Sequence, residues 1–486
     1  MGVIIAGDRS GSGKTTVTLA MLAALRQKQL AVQSFKVGPD YIDPMFHRAV
    51  TGRACYNLDP VLTSETYVRQ SYGRRSQAIP HSIVEGVMGL FDGAAAPQGY
   101  GSTAHVAKVL GLPVVLVVNC RSVSQSIAAL VQGYRTFDPA VNVAGLVLNQ
   151  VGSDRHLELL MAALEPLNLP IVGVLRREDQ IHLPDRHLGL VPTAELPQLT
   201  EILDRLAVLG LRCFDWEKLL PLVENSPLAS SIEPSDLPEV EPLPQPVRLA
   251  IAQDPAFSFY YADNLELLTA LGAELVPWSP LRDGPRPDCQ GLYFGGGFPE
   301  MFAAELADNA AARQAVGQAI AQGLPTYGEC GGLMYLCQAI VDFEGQRHAM
   351  VGTLPTDAVM GKRLTLGYRE ATVQATSALV QAGQRLRGHE FHRSQVTGRS
   401  AQPLFHLRSL QVTPARSGGS QFPFARSAQQ NSEQQHSETP ATNPLEGQAE
   451  GWAMANLHAS YLHLHWGTTP DLPRRFLQRC LGHSPS

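Results

Sequence analysis

The run Gly7-Asp8-Arg9-Ser10-Gly11-Ser12-Gly13-Lys14-Thr15-Thr16 carries residue types that bind phosphate. Glycines let the backbone curl so that successive N–H groups point at phosphate oxygens. A following helix N-terminus adds partial positive charge and Lys14 a full one. The Thr15 hydroxyl is placed to reach a magnesium ion. ATP binding is therefore expected at Gly11, Ser12, Gly13, Lys14, Thr15 and Thr16. Carboxylates in nearby glycine- or proline-fixed turns are natural oxygen ligands for Mg²⁺. Four stand in such turns: Asp40 and Asp43 in Val37-Gly38-Pro39-Asp40-Tyr41-Ile42-Asp43-Pro44, and Glu85 and Asp92 in Val84-Glu85-Gly86-Val87-Met88-Gly89-Leu90-Phe91-Asp92-Gly93. Asp40 and Glu85, with Thr15, form the expected metal set.

A second chemistry begins at Gly328-Glu329-Cys330-Gly331-Gly332. Small residues on both sides of Cys330 fit a tight strand-to-helix turn with a nucleophile at its apex, by the logic of G-x-S-x-G. The helix N-terminus behind the thiol favours thiolate. The N–H of Gly331, with one from Gly296 or Gly297, suits an oxyanion hole. Cys337 on the following helix fits an ordinary core role. A nucleophilic cysteine needs a base. Asn456-Leu457-His458-Ala459-Ser460-Tyr461-Leu462-His463-Leu464-His465-Trp466 offers three histidines, which alternation would place on one face of a strand. Spacing does not choose among them. Lys362–Arg369 and Arg387–Ser394 are dense in cations and histidines and read as contacts to a polyanionic substrate.

These residues need a frame. Apolar runs at Val3–Ala6, Ala31–Phe35, Ile83–Val84, Pro113–Val118, Val143–Leu148 and Ile171–Val174 are continuous rather than alternating, which predicts a doubly wound parallel α/β sheet covered on both faces. Its ligand belongs beyond the carboxyl ends of the strands. Periodicity fades after about residue 205. The stretch 225–246, rich in proline, serine and acid, reads as a linker. A second α/β pattern starts at Val247–Ala252, continues through a helix at Tyr261–Leu271 and strands at Glu274–Pro277 and Gly291–Phe294, and then reaches Gly295-Gly296-Gly297. The expected division is therefore 1–224, a linker at 225–246, and 247–486. Low apolar content predicts a disordered insertion at 417–451.

Bulk properties narrow the function class. The 486 residues are 44% hydrophobic and 17% charged, as for globular domains with real cores. The net charge of −6 gives no electrostatic case for nucleic acid or an anionic membrane. No long apolar span or signal-type segment is present. Seven cysteines without paired spacing suggest reduced thiols in a cytoplasmic protein.

The phosphate loop, with Gly7 one residue further back than the usual pattern, resembles that of dethiobiotin synthetase. With the motifs around Asp40, Glu85, Cys330, Arg387–His392 and Ala459–His465, the whole chain outside the insertion resembles the cobyrinic acid a,c-diamide synthases. The resemblance implies a dethiobiotin-synthetase-like ATPase fused to a class I glutamine amidotransferase. It implies ATP- and glutamine-dependent amidation of the a and c carboxylates of cobyrinic acid through an acyl phosphate, using Mg²⁺, with ammonia able to replace glutamine. By the same likeness His463 activates Cys330. Ordinary class I glutaminases carry a glutamate two residues after this histidine; here that place holds His465, and the sequence leaves open what orients His463. Hydrogenobyrinic acid and Ni-sirohydrochlorin diamide synthases are the near alternatives. Cobyric acid synthase is disfavoured by Leu464 after His463. A partition-type ATPase switch is disfavoured by the missing early lysine and by Cys330.

Overall fold

The computed structural model describes residues 2–93, 99–179, 181, 183–186, 189–225, 240–410 and 447–482. The first unit runs β1 (Val3–Gly7), α1 (Lys14–Gln27), β2 (Val32–Val37), α2 (Ile42–Thr51), β3 (Tyr56–Leu58), α3 (Glu65–Ser76) and β4 (His81–Glu85). It continues with α4 (Thr103–Leu110), β5 (Val114–Asn119), α5 (Ser126–Phe137), β6 (Val143–Val151), α6 (Asp154–Leu164) and β7 (Ile171–Arg176). The short pair β8 (Asp185–Arg186) and β9 (Gly189–Leu190) leads to α7 (Leu199–Cys213) and α8 (Trp216–Val223). Seven strands form a parallel sheet in the order β3-β2-β4-β1-β5-β6-β7.

The continuous apolar strands are buried as expected: Val3, Ile4, Ile5 and Ala6 of β1 are all fully enclosed. The sheet begins one strand earlier than the sequence indicates, because Tyr56-Asn57-Leu58 is too short to show a pattern. The faded periodicity after residue 205 also hides structure. There α7 packs against α1 through Gly210, where an added Cβ would lie 2.1 Å from the Ala20 carbonyl. Only glycine permits that approach.

The second unit contains β10 (Val247–Ala252), α9 (Ala262–Ala270), β11 (Ala273–Trp278), β12 (Gly291–Phe294), α10 (Ala303–Asp308), α11 (Ala310–Ala321), β13 (Thr326–Glu329) and α12 (Gly331–Leu336). Then come β14 (Cys337–Val341), β15 (Arg347–Ala349), β16 (Leu354–Val373), β17 (Arg385–Val396), β18 (Pro403–Ser409), β19 (Gln448–Met454), β20 (Leu457–Ser460) and α13 (Asp471–Leu481). These strands build a mixed sheet ordered β11-β10-β12-β13-β20-β19-β18-β16-β14-β15, with β17 antiparallel to β16.

One expectation changes here. Of the insertion expected at 417–451, residues 417–446 lie outside those described, but from Gln448 the chain is a strand paired with β18 and β20. The Glu450 side chain is half-buried and accepts from Ser460 Oγ at 2.6 Å and from the Tyr461 N–H at 2.8 Å. Local composition does not register such long-range pairing. The cation-rich segments Lys362–Arg369 and Arg387–Ser394 are facing strands of one long hairpin.

The two sheets meet at an interface rich in tyrosine and charge. Tyr67 donates to Asp263 at 2.7 Å, and Arg75 pairs with Asp263 at 3.0 Å and with Glu266 at 2.9 Å. Tyr368, from the β16–β17 hairpin, donates to Asp59 at 2.9 Å. Tyr41 stacks on Phe259 with ring centroids 5.2 Å apart.

Candidate functional site

At the carboxyl end of β1 the chain turns through the glycine-rich loop into α1. Gly7 is tied to this geometry, since a Cβ there would sit 2.2 Å from Ser12 Oγ. Gly13 has φ of 92°, and a Cβ on it would strike the Asn149 amide at 2.2 Å. Asn149, at the end of β6, donates to the Ser12 carbonyl at 2.8 Å and so fixes the loop against the sheet. Gly11, Gly13, Lys14, Thr15 and Thr16 line one wall of a cavity of about 350 Å³.

Behind the loop lies a cluster of opposed charges. Lys36, at the end of β2, is buried and stands 2.5 Å from Asp43, 2.9 Å from Glu85 and 3.9 Å from Asp40. Thr15 donates to Glu85 Oε1 at 2.7 Å and lies 3.4 Å from Asp43. His47 Nε2 meets the other Glu85 oxygen at 2.6 Å, and Cys55 Sγ lies 3.4 Å from His47 Nδ1. Burial would raise the Glu85 pKa, but Lys36 and His47 hold it well below the usual carboxylate range. Burial and the neighbouring Asp40 push Asp43 up to about 7. Lys14 is lowered by burial and by the Lys36 charge.

Of the expected metal set, Thr15 and Glu85 are brought together. The Asp40 Oδ1 accepts from the N–H groups of Ile42 and Asp43 at 2.9 and 3.1 Å and fixes the first turn of α2. Asp43 lies 3.4 Å from Thr15. Asp92 closes a turn by accepting from the Gly89 N–H at 3.0 Å. Among the described residues no group of three or more His, Cys, Asp or Glu side chains could hold a metal by itself. Thr15, Glu85 and Asp43 nevertheless offer hard oxygens beside a phosphate loop. That donor set suits Mg²⁺, which binds through one or two carboxylates and completes its shell with water and phosphate.

The second centre lies at the ends of β12, β13 and β20. Cys330, between β13 and α12, has φ of 52° and ψ of −101°. A non-glycine residue with positive φ at a strand–helix apex is the strained turn that a nucleophile elbow requires. Its N–H donates to the Ser460 carbonyl at 2.7 Å, and its Sγ lies 3.8 Å from the Phe391 carbonyl. A Cβ on Gly332 would lie 2.3 Å from the Phe294 carbonyl, and one on Gly331 would lie 3.1 Å from the Gly297 nitrogen. The Gly297 backbone therefore packs closely against the start of α12.

His463 is fully buried, and its Nδ1 meets Glu329 Oε1 at 3.0 Å. The other Glu329 oxygen accepts from the Leu464 N–H at 3.2 Å and from the Tyr327 hydroxyl. Burial alone would lower the His463 pKa, but the charges of Cys330 and Glu329 on either side raise it to about 10. The group that orients His463 is thus Glu329, the residue before the nucleophile, and not His465. His465 Nε2 points to Asp263 at 3.6 Å and joins the interface network of Tyr67 and Arg75. Nor do the three histidines share a face. The strand ends at Ser460, His458 is spent on Ser377 at 3.0 Å, and His463 bonds backbone to backbone with His389. Cys337 is core, its thiol 3.3 Å from the Leu333 carbonyl.

Lys36, His47 and Glu329 belong to these two clusters and were not singled out from the sequence. Glu329 had a signal, an acid inside the elbow itself. His47 had none, being a lone histidine on an amphipathic helix.

The two centres adjoin. Tyr41, between Asp40 and Ile42, places its ring 5.0 Å from that of His463. Comparison with known proteins agrees with this pairing. Residues 3–191 match the CobQ/CobB/MinD/ParA nucleotide binding domain and residues 248–470 the CobB/CobQ-like glutamine amidotransferase domain. The cobyrinate a,c-diamide synthase of Synechococcus sp. is 56% identical over 99% of this chain and 98% of its own length. The chain belongs to the cobyrinate a,c-diamide synthase family. Another member, from Synechocystis sp., is 51% identical over 99% of this chain and 94% of its own. The hydrogenobyrinate a,c-diamide synthase of Streptomyces coelicolor is 40% identical over 98% and 97%. Among the described residues no helix is long and apolar enough to cross a membrane.

Proposed function

We propose that this chain amidates the a and c side-chain carboxylates of cobyrinic acid, using ATP and the amide nitrogen of glutamine, in the cytoplasm. Residues 1–224 form the ATP-dependent ligase and 247–486 the glutaminase, joined through 225–246. The observation that carries the reading is the contact of Tyr41 with His463, by which a phosphate-loop centre adjoins a Cys-His-Glu centre.

In the first half-reaction the loop from Gly11 to Thr16 cradles the ATP phosphates, and Lys14 balances charge on the transferring group. Mg²⁺ at Thr15, Glu85 and Asp43, with Asp40 at the rim, would supply further charge neutralisation. A carboxylate oxygen of the corrinoid attacks the γ-phosphorus, ADP departs, and an acyl phosphate remains.

In the second, His463 takes the Cys330 proton, and the thiolate attacks the glutamine side-chain carbonyl. The oxyanion is held by the N–H groups of Gly331 and Gly297. His463, oriented by Glu329, returns the proton to the departing ammonia, and water hydrolyses the thioester to glutamate. Ammonia then displaces phosphate from the acyl phosphate to give the amide, and the cycle repeats at the second carboxylate.

Mass spectrometry of products from cobyrinic and hydrogenobyrinic acids with ATP and glutamine tests the substrate. A diamide from cobyrinic acid is expected. Conversion of hydrogenobyrinic acid alone would overturn that assignment.

A further inference from the structure

The first centre contains a buried side chain to which the two half-reactions assign no task. His47, on α2, is fully enclosed, with Nε2 2.6 Å from Glu85 Oε2 and Nδ1 3.4 Å from Cys55 Sγ. We infer that His47 is a positioning residue for the ligase reaction: backed by Cys55, it ties down one Glu85 oxygen so that the other stays beside Thr15 to serve the metal. The inference rests on the reading of Thr15, Glu85 and Asp43 as the Mg²⁺ site.

The chemistry of the partners fixes the direction of the hydrogen bonds. Glu85, paired with Lys36 at 2.9 Å, is a carboxylate and only accepts. Nε2 therefore carries a proton. Nδ1 faces the Cys55 thiol, which either donates its S–H to a neutral ring or, as thiolate, accepts a second ring proton. Both arrangements leave the Nε2–H on Glu85.

Placement is the second support. Asp43 and His47 are four residues apart on α2 and so share one face of it. That face sets Asp43 against Lys36 and His47 against Glu85, and Asp40 fixes the turn from which the helix starts. The two Glu85 oxygens are thereby divided. Oε2 meets His47, whereas Oε1 accepts from Thr15 at 2.7 Å and from Lys36 at 2.9 Å.

The third support is what enclosure costs. The Glu85 side chain is as fully buried as that of His47, so no bulk water replaces a lost partner. Without His47, the carboxylate gains by turning both oxygens toward Lys36, and the contact with Thr15 is lost. A group that holds the far atom of a metal ligand in this way is typically worth about 10–100-fold in metal affinity. A histidine that merely filled the core would leave a different trace, since its loss would loosen the phosphate loop and nucleotide binding together.

The test uses the full-length enzyme with ADP and Mn²⁺, which takes the same hard oxygen ligands as Mg²⁺ and is counted when free by electron paramagnetic resonance. His47→Leu should weaken Mn²⁺ on the enzyme–ADP complex by about tenfold or more. ADP affinity in EDTA and basal glutamine hydrolysis should stay near the parental values, which also reports that the variant folds. His47→Gln, whose amide N–H can stand in for Nε2–H, should recover most of the Mn²⁺ affinity, and ammonia-dependent amidation should fall and recover in the same order. Cys55→Ala removes only the partner behind the ring and should lose about threefold. Parental Mn²⁺ affinity in His47→Leu, or in Cys55→Ala if the leucine variant does not fold, would overturn the assignment. So would a glutamine variant no better than leucine, or a matching loss of ADP affinity in EDTA. A parent complex that holds no more Mn²⁺ than ADP binds by itself would instead remove the metal reading, and this role with it.

Discussion

The two centres share a plan and differ in how they handle charge. Each is a strand end that turns through glycines into a helix, with a buried carboxylate alongside: Glu85 in the first, Glu329 in the second. Around Glu85 stand Lys36, His47 and, beyond Thr15, Lys14. Glu329 has one basic partner, His463, beside a tyrosine hydroxyl and a backbone N–H. The first centre also opens to solvent through Gly11, whereas Cys330 is only 3% exposed and His463 fully buried. A site that must admit a polyanion is built with cations in place and a way in. A site that must release a small neutral base is closed around one ion pair. Burial is affordable for the second because its reactants bring little net charge.

That contrast predicts that damage to one centre stays on its own half-reaction. The largest effect is expected from Glu85→Gln. Without its charge, Lys36 and Thr15 lose their shared partner, and amidation should fall on the order of 10³-fold with either nitrogen source. Basal glutamine hydrolysis should persist. Asp40→Asn is expected to lose amidation in the same way, by loosening the first turn of α2 beside Asp43 and by removing a carboxylate from the rim of the proposed metal site; equal losses of glutaminase in either variant would erase the distinction between the centres.

Next comes Glu329→Gln. With the orienting carboxylate gone, glutamine-dependent turnover should drop about 10²-fold or more while the ammonia-dependent reaction continues. His465→Ala sharpens the point, since His465 faces Asp263 rather than His463. It should change glutamine turnover by less than about tenfold, and any loss should touch the ammonia reaction as well. Steady-state assays with both nitrogen donors distinguish the two patterns. A glutamine-specific collapse in His465→Ala with a mild Glu329→Gln would reverse the assignment of the orienter.

The smallest effect is on stability. Burial raises the Glu450 pKa to about 8. The folded state therefore holds this proton where the unfolded chain has released it. Its contribution to stability is full below the ordinary glutamate pKa and is lost as pH rises toward 8. Thermal unfolding at pH 6 and pH 8.5 should show a smaller drop in Glu450→Gln than in the parent protein. An unchanged drop would mean that Glu450 is ionised throughout.

What the sequence disclosed follows from what is local. The phosphate loop and the elbow are short runs whose residue types are dictated by one turn, and Cys330 and Gly11–Thr16 were legible for that reason. Continuous apolar strands gave the parallel sheet. Contacts between distant segments were not legible. Glu329 finds His463 only because β13 and β20 pair in parallel, and Lys36 reaches Asp43 and Glu85 only because β2 lies beside β4. The histidine alternation misled because strand β20 stops three residues before His463. Strand β19 was missed because its partners, β18 and β20, supply the order that its own composition does not.

The separation of the two half-reactions is tested most directly by Cys330→Ala assayed with each nitrogen donor. Glutamine-dependent amidation should vanish, while a high concentration of ammonium salt at alkaline pH should restore diamide at close to the parental ammonia-dependent rate. Continued turnover of glutamine by this variant, or equal failure with ammonia, would contradict the account and leave Cys330 a structural residue.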